Sequence, residues 1–126
     1  MYDWTGKQVL VTGAGGFIGS HLVEALAGAG ARVRAMVHYN SRNDWGQVEL
    51  LDREVRDSLE VVAGDVRDPF FCRKAVEGCE VVFHLAALIG IPYSYVAPAD
   101  YVATNVVGTL NVVQACRDVG VEKMVH

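Results

Sequence analysis

A run of closely spaced glycines, placed directly after a short apolar segment, constrains this chain more than any other feature. Residues 13–19 read Gly-Ala-Gly-Gly-Phe-Ile-Gly and follow the apolar residues 9–12, which end at Thr12. The apolar run is too short and too closely bounded by glycine for a helix, so we predict a buried strand. Apolar residues at helical spacing come next and stop at Gly28 and Gly30. We therefore expect a strand, a tight turn and a helix in that order.

Glycine at Gly13, Gly16 and Gly19 suits a turn that holds the pyrophosphate of a dinucleotide. The first glycine permits a tight turn, the second lets a phosphate approach the backbone, and the third lets the helix pack closely on the sheet. The start of the helix adds free N–H groups and the positive end of its dipole. A glycine-rich turn that binds nothing is the alternative. The sequence has no GxxxxGK[ST] motif, so a nucleoside-triphosphate loop is not supported.

Strands and helices alternate along the whole chain. Strands are predicted at residues 9–12, 32–37, 59–63, 80–85 and 122–126. Helices are predicted at residues 17–28, 68–78 and 99–119, with a loop and a short helix around residues 47–51 in the charged stretch between. This order predicts an α/β fold: a doubly wound parallel sheet of the Rossmann type, with about five strands and helices on both faces.

Composition and charge narrow the classes of function. A chain of 126 residues with 52% hydrophobic residues suits one domain with a real core. Its net charge of −4, with scattered basic residues, argues against nucleic-acid binding. Cys72, Cys79 and Cys116 form no CxxC pair, so we expect neither disulfides nor a metal site. No apolar run reaches the roughly 18 residues of a bilayer span. We therefore expect a cytoplasmic protein with no membrane partner.

Four motifs, in order, resemble those of the extended short-chain dehydrogenases, the family of NAD-dependent nucleotide-sugar epimerases and dehydratases. Thr12 with residues 13–19 resembles the family's TGxxGxxG turn. Residues 64–68, Gly-Asp-Val-Arg-Asp, resemble its GD(V/I)xD motif, and residues 84–87, His-Leu-Ala-Ala, resemble HxAA. Residues 104–111, Thr-Asn-Val-Val-Gly-Thr-Leu-Asn, resemble TNxxGTxN.

Two further segments narrow the resemblance, which covers residues 9–126. Residues 37–41 and 87–95 look most like the sugar-nucleotide 4,6-dehydratases, including the bacterial group that acts on UDP-N-acetylglucosamine-type substrates in legionaminic acid synthesis. A 4-epimerase or a decarboxylase would share every motif present, so those activities remain open.

The resemblance implies a cofactor site built from several of these motifs. The pyrophosphate would contact the backbone of five turn residues: Gly13, Gly16, Phe17, Ile18 and Gly19. Asp65 and Val66 would flank the adenine, with the Asp65 carboxylate accepting from the exocyclic amine. Leu85, Ala86 and Ala87 would line the nicotinamide-ribose side. A strand-end turn at Asp65, and plain helix–sheet packing at the small residues, are the alternatives.

The end of the second strand departs from the pattern of NAD-binding proteins. An acidic residue there would bind the adenosine ribose hydroxyls, but His38 stands in its place. His38, Asn40, Ser41 and Arg42 could accommodate a 2′-phosphate through charge and hydrogen bonds. Certain relatives that use NADP carry Arg at the position matching His38. The resemblance therefore favours NADP slightly over NAD, and a solvated loop is the alternative for Arg42.

Three other residues are candidates near the active site. Asn105 lies within the long predicted helix, where its amide needs a partner. The resemblance implies that it supports the neighbouring loop near the active site, and we count it among the cofactor-binding residues. A satisfied core amide is the alternative. Ser94 and Tyr95 could touch the sugar or phosphate of a nucleotide-sugar substrate, and a surface loop is the alternative there.

The family's chemistry uses a Tyr-x-x-x-Lys pair, and no tyrosine of this chain has a lysine four residues later. No catalytic residue is therefore predicted. We expect residues 1–126 to be an incomplete dinucleotide-binding domain, with the sheet truncated after its fifth strand and the substrate domain absent. The resemblance implies part of a nucleotide-sugar 4,6-dehydratase or epimerase that acts as a homodimer. The alternative is a stand-alone, non-catalytic module that binds a dinucleotide and senses redox state.

Overall fold

The computed structural model describes all residues from Met1 to His126 and contains one parallel sheet of five strands. The strands are β1 (Gln8–Thr12), β2 (Arg32–His38), β3 (Glu60–Gly64), β4 (Val81–His84) and β5 (Lys123–Val125). They lie in the order β3-β2-β1-β4-β5, and every neighbouring pair is parallel. This confirms the predicted doubly wound Rossmann-type sheet, with each strand boundary within one residue of its predicted position.

The helices agree less closely with prediction. They are α1 (Phe17–Gly28), α2 (Arg53–Ser58), α3 (Pro69–Val76), α4 (Ile91–Val96), α5 (Pro98–Tyr101) and α6 (Gly108–Val119), with a 3-10 helix at Gly46–Leu50. The predictions missed α2 and α4, which are too short to show helical periodicity. The predicted long helix is present but is divided, because a π-helical segment, Val102–Val107, joins α5 to α6.

The start of α3 shows how local sequence determines a helix boundary. The Asp68 carboxylate accepts hydrogen bonds from the amides of Phe70 and Phe71, and Pro69 occupies the first helical position. These are the two signals that predicted a helix beginning here.

The core has two layers because side chains alternate across the central strand. On β1, Val9 and Val11 face the layer beneath α1, whereas Leu10 faces the layer beneath α3 and α6. All three are at most 1% exposed. Complete burial of such a side chain stabilises the fold by about 1.5–3 kcal/mol. Because β1 is covered on both faces, its side chains from Val9 to Thr12 are buried, and a continuous apolar run suits it.

The strand order places a switch point between β1 and β4. From β1 the chain continues to β2 and β3 on one side, and it then returns to β4 and β5 on the other. Thr12 pairs with His84 at the carboxyl end of these two strands. Ligands of open α/β sheets bind outside the strands' carboxyl ends at such a point, so the topology locates the candidate site.

Candidate functional site

An open cleft of about 900 Å³ runs along the carboxyl ends of β1, β2, β3 and β4. It contains most of the residues predicted for the cofactor: Gly13, Gly16, Phe17, Ile18, Gly19, His38, Asp65, Val66, Leu85, Ala86 and Ala87. Thr104 lines the cleft as well, so all four sequence motifs, far apart along the chain, meet in one place.

The glycine turn forms the floor of the cleft. Gly13 has a φ of +68°, and a Cβ on it would lie 2.8 Å from the backbone nitrogen of Ala86. A Cβ on Gly19 would lie 2.0 Å from the carbonyl oxygen of Gly13. The turn therefore needs glycine at Gly13 for its conformation and at Gly19 for close packing of α1.

The beginning of α1 is open to a ligand. Gly16 precedes the helix, no side chain caps its first turn, and that turn carries no acidic residue. The first amides of a helix lack partners within it, and the positive end of the helix dipole lies at the same place. The turn can therefore bind an anion such as a pyrophosphate.

The loop of residues 85–90 forms one wall of the cleft, and it is held from two sides. Thr12 Oγ1 accepts the amides of Leu85 and Ala86, each at 3.1 Å. Asn105 accepts the amide of Leu88 and donates to its carbonyl oxygen, both at 2.9 Å. Asn105 therefore lies behind the loop and positions it, and its own side chain does not line the cleft.

Asp65 lies at the end of β3 with its carboxylate already partnered. Arg67 donates to it from its backbone amide at 2.9 Å and from its guanidinium at 2.7 Å. His38 Nε2 lies 3.3 Å from the same carboxylate. The hydrogen bonds from Arg67 lower the pKa of Asp65 to about 2, although partial burial acts in the opposite direction. Asp65 is therefore ionised at neutral pH and keeps acceptor capacity for an amine.

Val66, the next residue, is held by two other elements. Its carbonyl oxygen accepts from Asn111 Nδ2 at 2.9 Å and from Cys72 Sγ at 3.3 Å. Gly108 packs so closely that a Cβ there would lie 2.6 Å from the Val66 side chain. Gly108 and Asn111, both in the motif at residues 104–111, therefore hold the segment that follows β3.

A side pocket of about 200 Å³ opens from the cleft at the end of β2. Its lining is Gly13, Gly15, Gly16, Val37, His38, Asn40, Asp44, Trp45 and Gly46. Of the residues predicted to surround a 2′-phosphate, His38 and Asn40 line this pocket, whereas Ser41 and Arg42 do not. The Arg42 side chain is 84% exposed and its Nε lies 3.2 Å from Asp44 Oδ2.

Ser94 and Tyr95 lie outside the cleft. The segment is helix α4, and the Ser94 hydroxyl donates to the carbonyl oxygen of Ile91 in the same helix. Tyr95 is 84% exposed. Tyr93 lines the cleft instead. The helix rotates successive side chains by about 100°, so neighbours in sequence face different surroundings.

Several cleft residues were missed by the sequence analysis: Met36, Val37, Gly64, Arg67, Leu88, Ile89, Tyr93, Asp100 and Thr104. Gly64, Arg67 and Thr104 lie inside motifs that were recognised, so their positions were available as a signal. Met36 and Val37 lie near the end of β2, and the remaining four lie on the loop after β4 or on helices α4 and α5. Their side chains reach the cleft through tertiary placement.

No group of three or more His, Cys, Asp or Glu side chains is arranged to hold a metal ion. The three cysteines are free and buried. Burial raises the pKa of Cys72 and of Cys79 to about 11, so neither thiol is a ready nucleophile. None of the helices combines the length and the apolar character that crossing a bilayer requires.

A glycine turn and an open helix start at the switch point of a doubly wound sheet define a dinucleotide-binding protein of the Rossmann class. Comparison with known proteins then gives the family. The sequence model of the GDP-mannose 4,6 dehydratase family matches residues 10–126. The chain belongs to that family, within the NAD-dependent epimerases and dehydratases. The motif resemblance is thereby confirmed.

Individual relatives agree with this assignment. UDP-glucose 4-epimerase of Mycolicibacterium smegmatis is 40% identical over 121 residues, which is 94% of this chain and 37% of that protein. The structure of DesIV, a dTDP-glucose 4,6-dehydratase from Streptomyces venezuelae with NAD bound, has a TM-score of 0.81 and 33% identity, covering 94% of this chain and 38% of that one. A UDP-N-acetylglucosamine 4-epimerase from Methanobrevibacter ruminantium has a TM-score of 0.80 and 32% identity, covering 95% and 37%. The chain thus spans about a third of the length of these relatives.

Proposed function

We propose that this chain is the NAD(P)-binding portion of a nucleotide-sugar 4,6-dehydratase, a lyase, or of the corresponding epimerase, an isomerase. The observation that carries the proposal is the open amide-lined start of α1, which faces a cleft of about 900 Å³ at the sheet's switch point. The family match and the nucleotide-sugar enzymes among the relatives support the same assignment.

Separate groups of cleft residues suit the separate parts of a dinucleotide. The turn from Gly13 to Gly19 would bind the pyrophosphate, and Asp65 with Val66 would flank the adenine. Leu85 and the two alanines after it would line the nicotinamide-ribose side. When bound, the nicotinamide supplies reversible acceptance of a hydride. The residues of this chain would hold and orient the nicotinamide. The Tyr-x-x-x-Lys pair is not among them, because no tyrosine has a lysine four positions later.

Residues 1–126 would then form an incomplete dinucleotide-binding domain, and the acid–base pair and the substrate domain would lie outside them. A nucleotide sugar is the proposed substrate, with the UDP-N-acetylglucosamine type favoured by residues 37–41 and 87–95. A homodimer and a cytoplasmic location remain predictions. The non-catalytic redox-sensing module has less support, because the relatives described above are named as enzymes.

Two measurements on the protein at its natural length test the proposal. Calorimetric titration with NAD and NADP should give saturable binding, and Gly19→Ala should abolish it. The protein should then convert a UDP-sugar, and product analysis separates a 4-keto-6-deoxy sugar from a 4-epimer. Binding without turnover of any sugar nucleotide would favour the redox-sensing module, and absence of binding would refute both functions.

A further inference from the structure

The side pocket at the end of β2 contains one carboxylate that the sequence analysis did not consider, that of Asp44. Backbone contacts fix the position of the Asp44 loop relative to the glycine turn. The Gln47 amide donates to the Gly15 carbonyl oxygen at 2.8 Å. A Cβ on Gly15 would lie 3.0 Å from the carbonyl oxygen of Trp45. The loop that carries Asp44 is therefore packed against the glycine turn itself.

The Asp44 side chain is also held internally. Oδ1 accepts from Asn40 Nδ2 and from the Gly46 amide, each at 3.1 Å. Asn40 in turn accepts the amides of Arg42 and Asp44 through its own Oδ1. Asn40 thus organises the loop, which accounts for its amide group without a ligand.

The Asp44 carboxylate also sets the charge of the pocket. The hydrogen bonds from Gly46 and Asn40 lower the pKa of Asp44, so it is an anion at neutral pH. The Arg42 guanidinium pairs with Oδ2, and its side chain is largely exposed outside the pocket. A carboxylate has about four acceptor sites, so Oδ2 retains capacity for a further donor.

The pocket lies where the adenosine ribose of a bound dinucleotide would be placed. The ribose joins the pyrophosphate, assigned to the turn, to the adenine, assigned to Asp65. The side pocket shares Gly13, Gly16, Val37 and His38 with the main cleft and so lies between those two places. In proteins of this fold an acidic side chain near the end of β2 binds the ribose hydroxyls, and here that position holds His38.

We propose that Asp44 is the residue that determines cofactor specificity: its carboxylate accepts hydrogen bonds from the adenosine ribose hydroxyls and excludes a 2′-phosphate, so the protein binds NAD in preference to NADP. This inference rests on the proposed function, and it reverses the slight preference for NADP that the sequence suggested. The carboxylate reaches the ribose from the loop after β2 instead of from the strand's end.

Titration of the natural-length protein with NAD, NADP and 2′-deoxy-NAD tests the proposal. The unsubstituted protein should bind NAD at least tenfold more tightly than NADP. It should also bind 2′-deoxy-NAD about tenfold more weakly than NAD, as expected for a lost hydrogen bond to a charged group. This comparison needs no substitution, so a folding defect cannot obscure it. Equal affinity for NAD and 2′-deoxy-NAD, or tighter binding of NADP, overturns the proposal.

Substitutions identify the residue responsible. Asp44→Asn should shift the NAD-to-NADP affinity ratio toward NADP by about tenfold or more, since it removes one charge without changing the shape. Asp57→Asn, a change of the same type at an exposed carboxylate outside both pockets, should leave the ratio unchanged. Arg42→Ala should keep the preference for NAD. A ratio unaffected by Asp44→Asn, or a specific loss of NADP binding in Arg42→Ala, refutes the role of Asp44. Failure to bind either dinucleotide at all refutes the proposed function instead.

Discussion

The hydroxyl group of Thr12 donates a hydrogen bond to Nδ1 of His84 across 2.7 Å, and neighbouring groups fix the direction of that bond. Thr12 Oγ1 already accepts the amides of Leu85 and Ala86, which use its two lone pairs. Its proton must therefore point to the ring, and Nδ1 of His84 must be the acceptor.

The same logic continues through the ring. With Nδ1 accepting, Nε2 carries the proton and donates to Thr109 Oγ1 at 3.1 Å. Thr109 then donates to the carbonyl oxygen of Asn105 at 2.7 Å. One neutral tautomer of His84 thus links the end of β1 to the π-helical segment, and the side chain of Asn105 holds the cleft wall from there.

A pH dependence of stability follows from His84. Burial, with a smaller effect of His126, lowers the pKa of His84 from 6.5 to about 4. The unfolded chain therefore binds more protons than the folded one between these values, and the free energy of unfolding falls as pH drops from 6.5 to 4. The shift corresponds to about 3 kcal/mol at most.

Urea unfolding from pH 7.5 to 4.5 should show this slope, and His84→Asn should reduce it; equal slopes would contradict the assignment. The contribution of Asp65, with its pKa of about 2, is lost only below this window.

Alanine at Gly13 should destabilise the protein and weaken dinucleotide binding together. A left-handed conformation costs a residue with a side chain about 1–3 kcal/mol, and the new Cβ would also press on the backbone of Ala86. Denaturant titration measures the first effect and calorimetry the second. Gly28→Ala is the matched control, because its Cβ would meet no atom within 4 Å, and we expect it to stabilise by about 0.4–1 kcal/mol. Equal effects of the two changes would contradict the packing.

The predicted contact of Asp65 with adenine can be tested with a modified cofactor. Nicotinamide hypoxanthine dinucleotide lacks the exocyclic amine, so the unsubstituted protein should bind it about tenfold more weakly than NAD. In Asp65→Asn the difference between the two cofactors should shrink, because the charged acceptor is gone. Asp52→Asn, outside the cleft, should retain the full difference. An undiminished difference in Asp65→Asn would show that Asp65 serves only to hold Arg67.

Asn105→Ala should loosen the cleft wall without removing a cleft-lining side chain. The backbone of Leu88 loses both hydrogen bonds, which costs about 1–3 kcal/mol if those groups remain shielded from water. Hydrogen exchange at the Leu88 amide should accelerate, and affinity for NAD should fall. Asn105→Asp keeps the acceptor for the amide but lacks the donor, so an intermediate effect is expected. Unchanged exchange at Leu88 in the alanine variant would contradict the positioning role.

The predicted homodimer has a candidate surface on α6 and the π-helical segment before it. Five apolar side chains there are exposed: Val102, Val106, Val107, Leu110 and Val113. Leu110→Glu should weaken self-association about tenfold or more, since a buried unpaired charge is costly. Leu50→Glu places the same charge on an exposed leucine elsewhere and should have no effect. Sedimentation velocity across a range of concentrations measures both, and a monomeric unsubstituted protein would refute the prediction.

Sequence reasoning succeeded where one short segment contains its own cause. The strand before the glycine turn is apolar on both faces, and the helix after Asp68 begins with a capping carboxylate and a proline. It failed at α4, whose six residues show no periodicity. The structure places Ser94 and Tyr95 outside the cleft, and their contact with a substrate stays a prediction.

The sequence by itself determined the alternation of strands and helices, the glycine turn and the family, because these depend on residues adjacent along the chain. Only the tertiary structure decided that Asn105 holds Leu88, that His84 joins Thr12 to Thr109, and that Asp44 reaches the pocket beside the turn. The strand order creates these contacts, since it brings to one sheet edge loops that are distant in sequence. Neither spacing nor composition encodes which side chains meet there, because each loop's path depends on the packing of the elements around it.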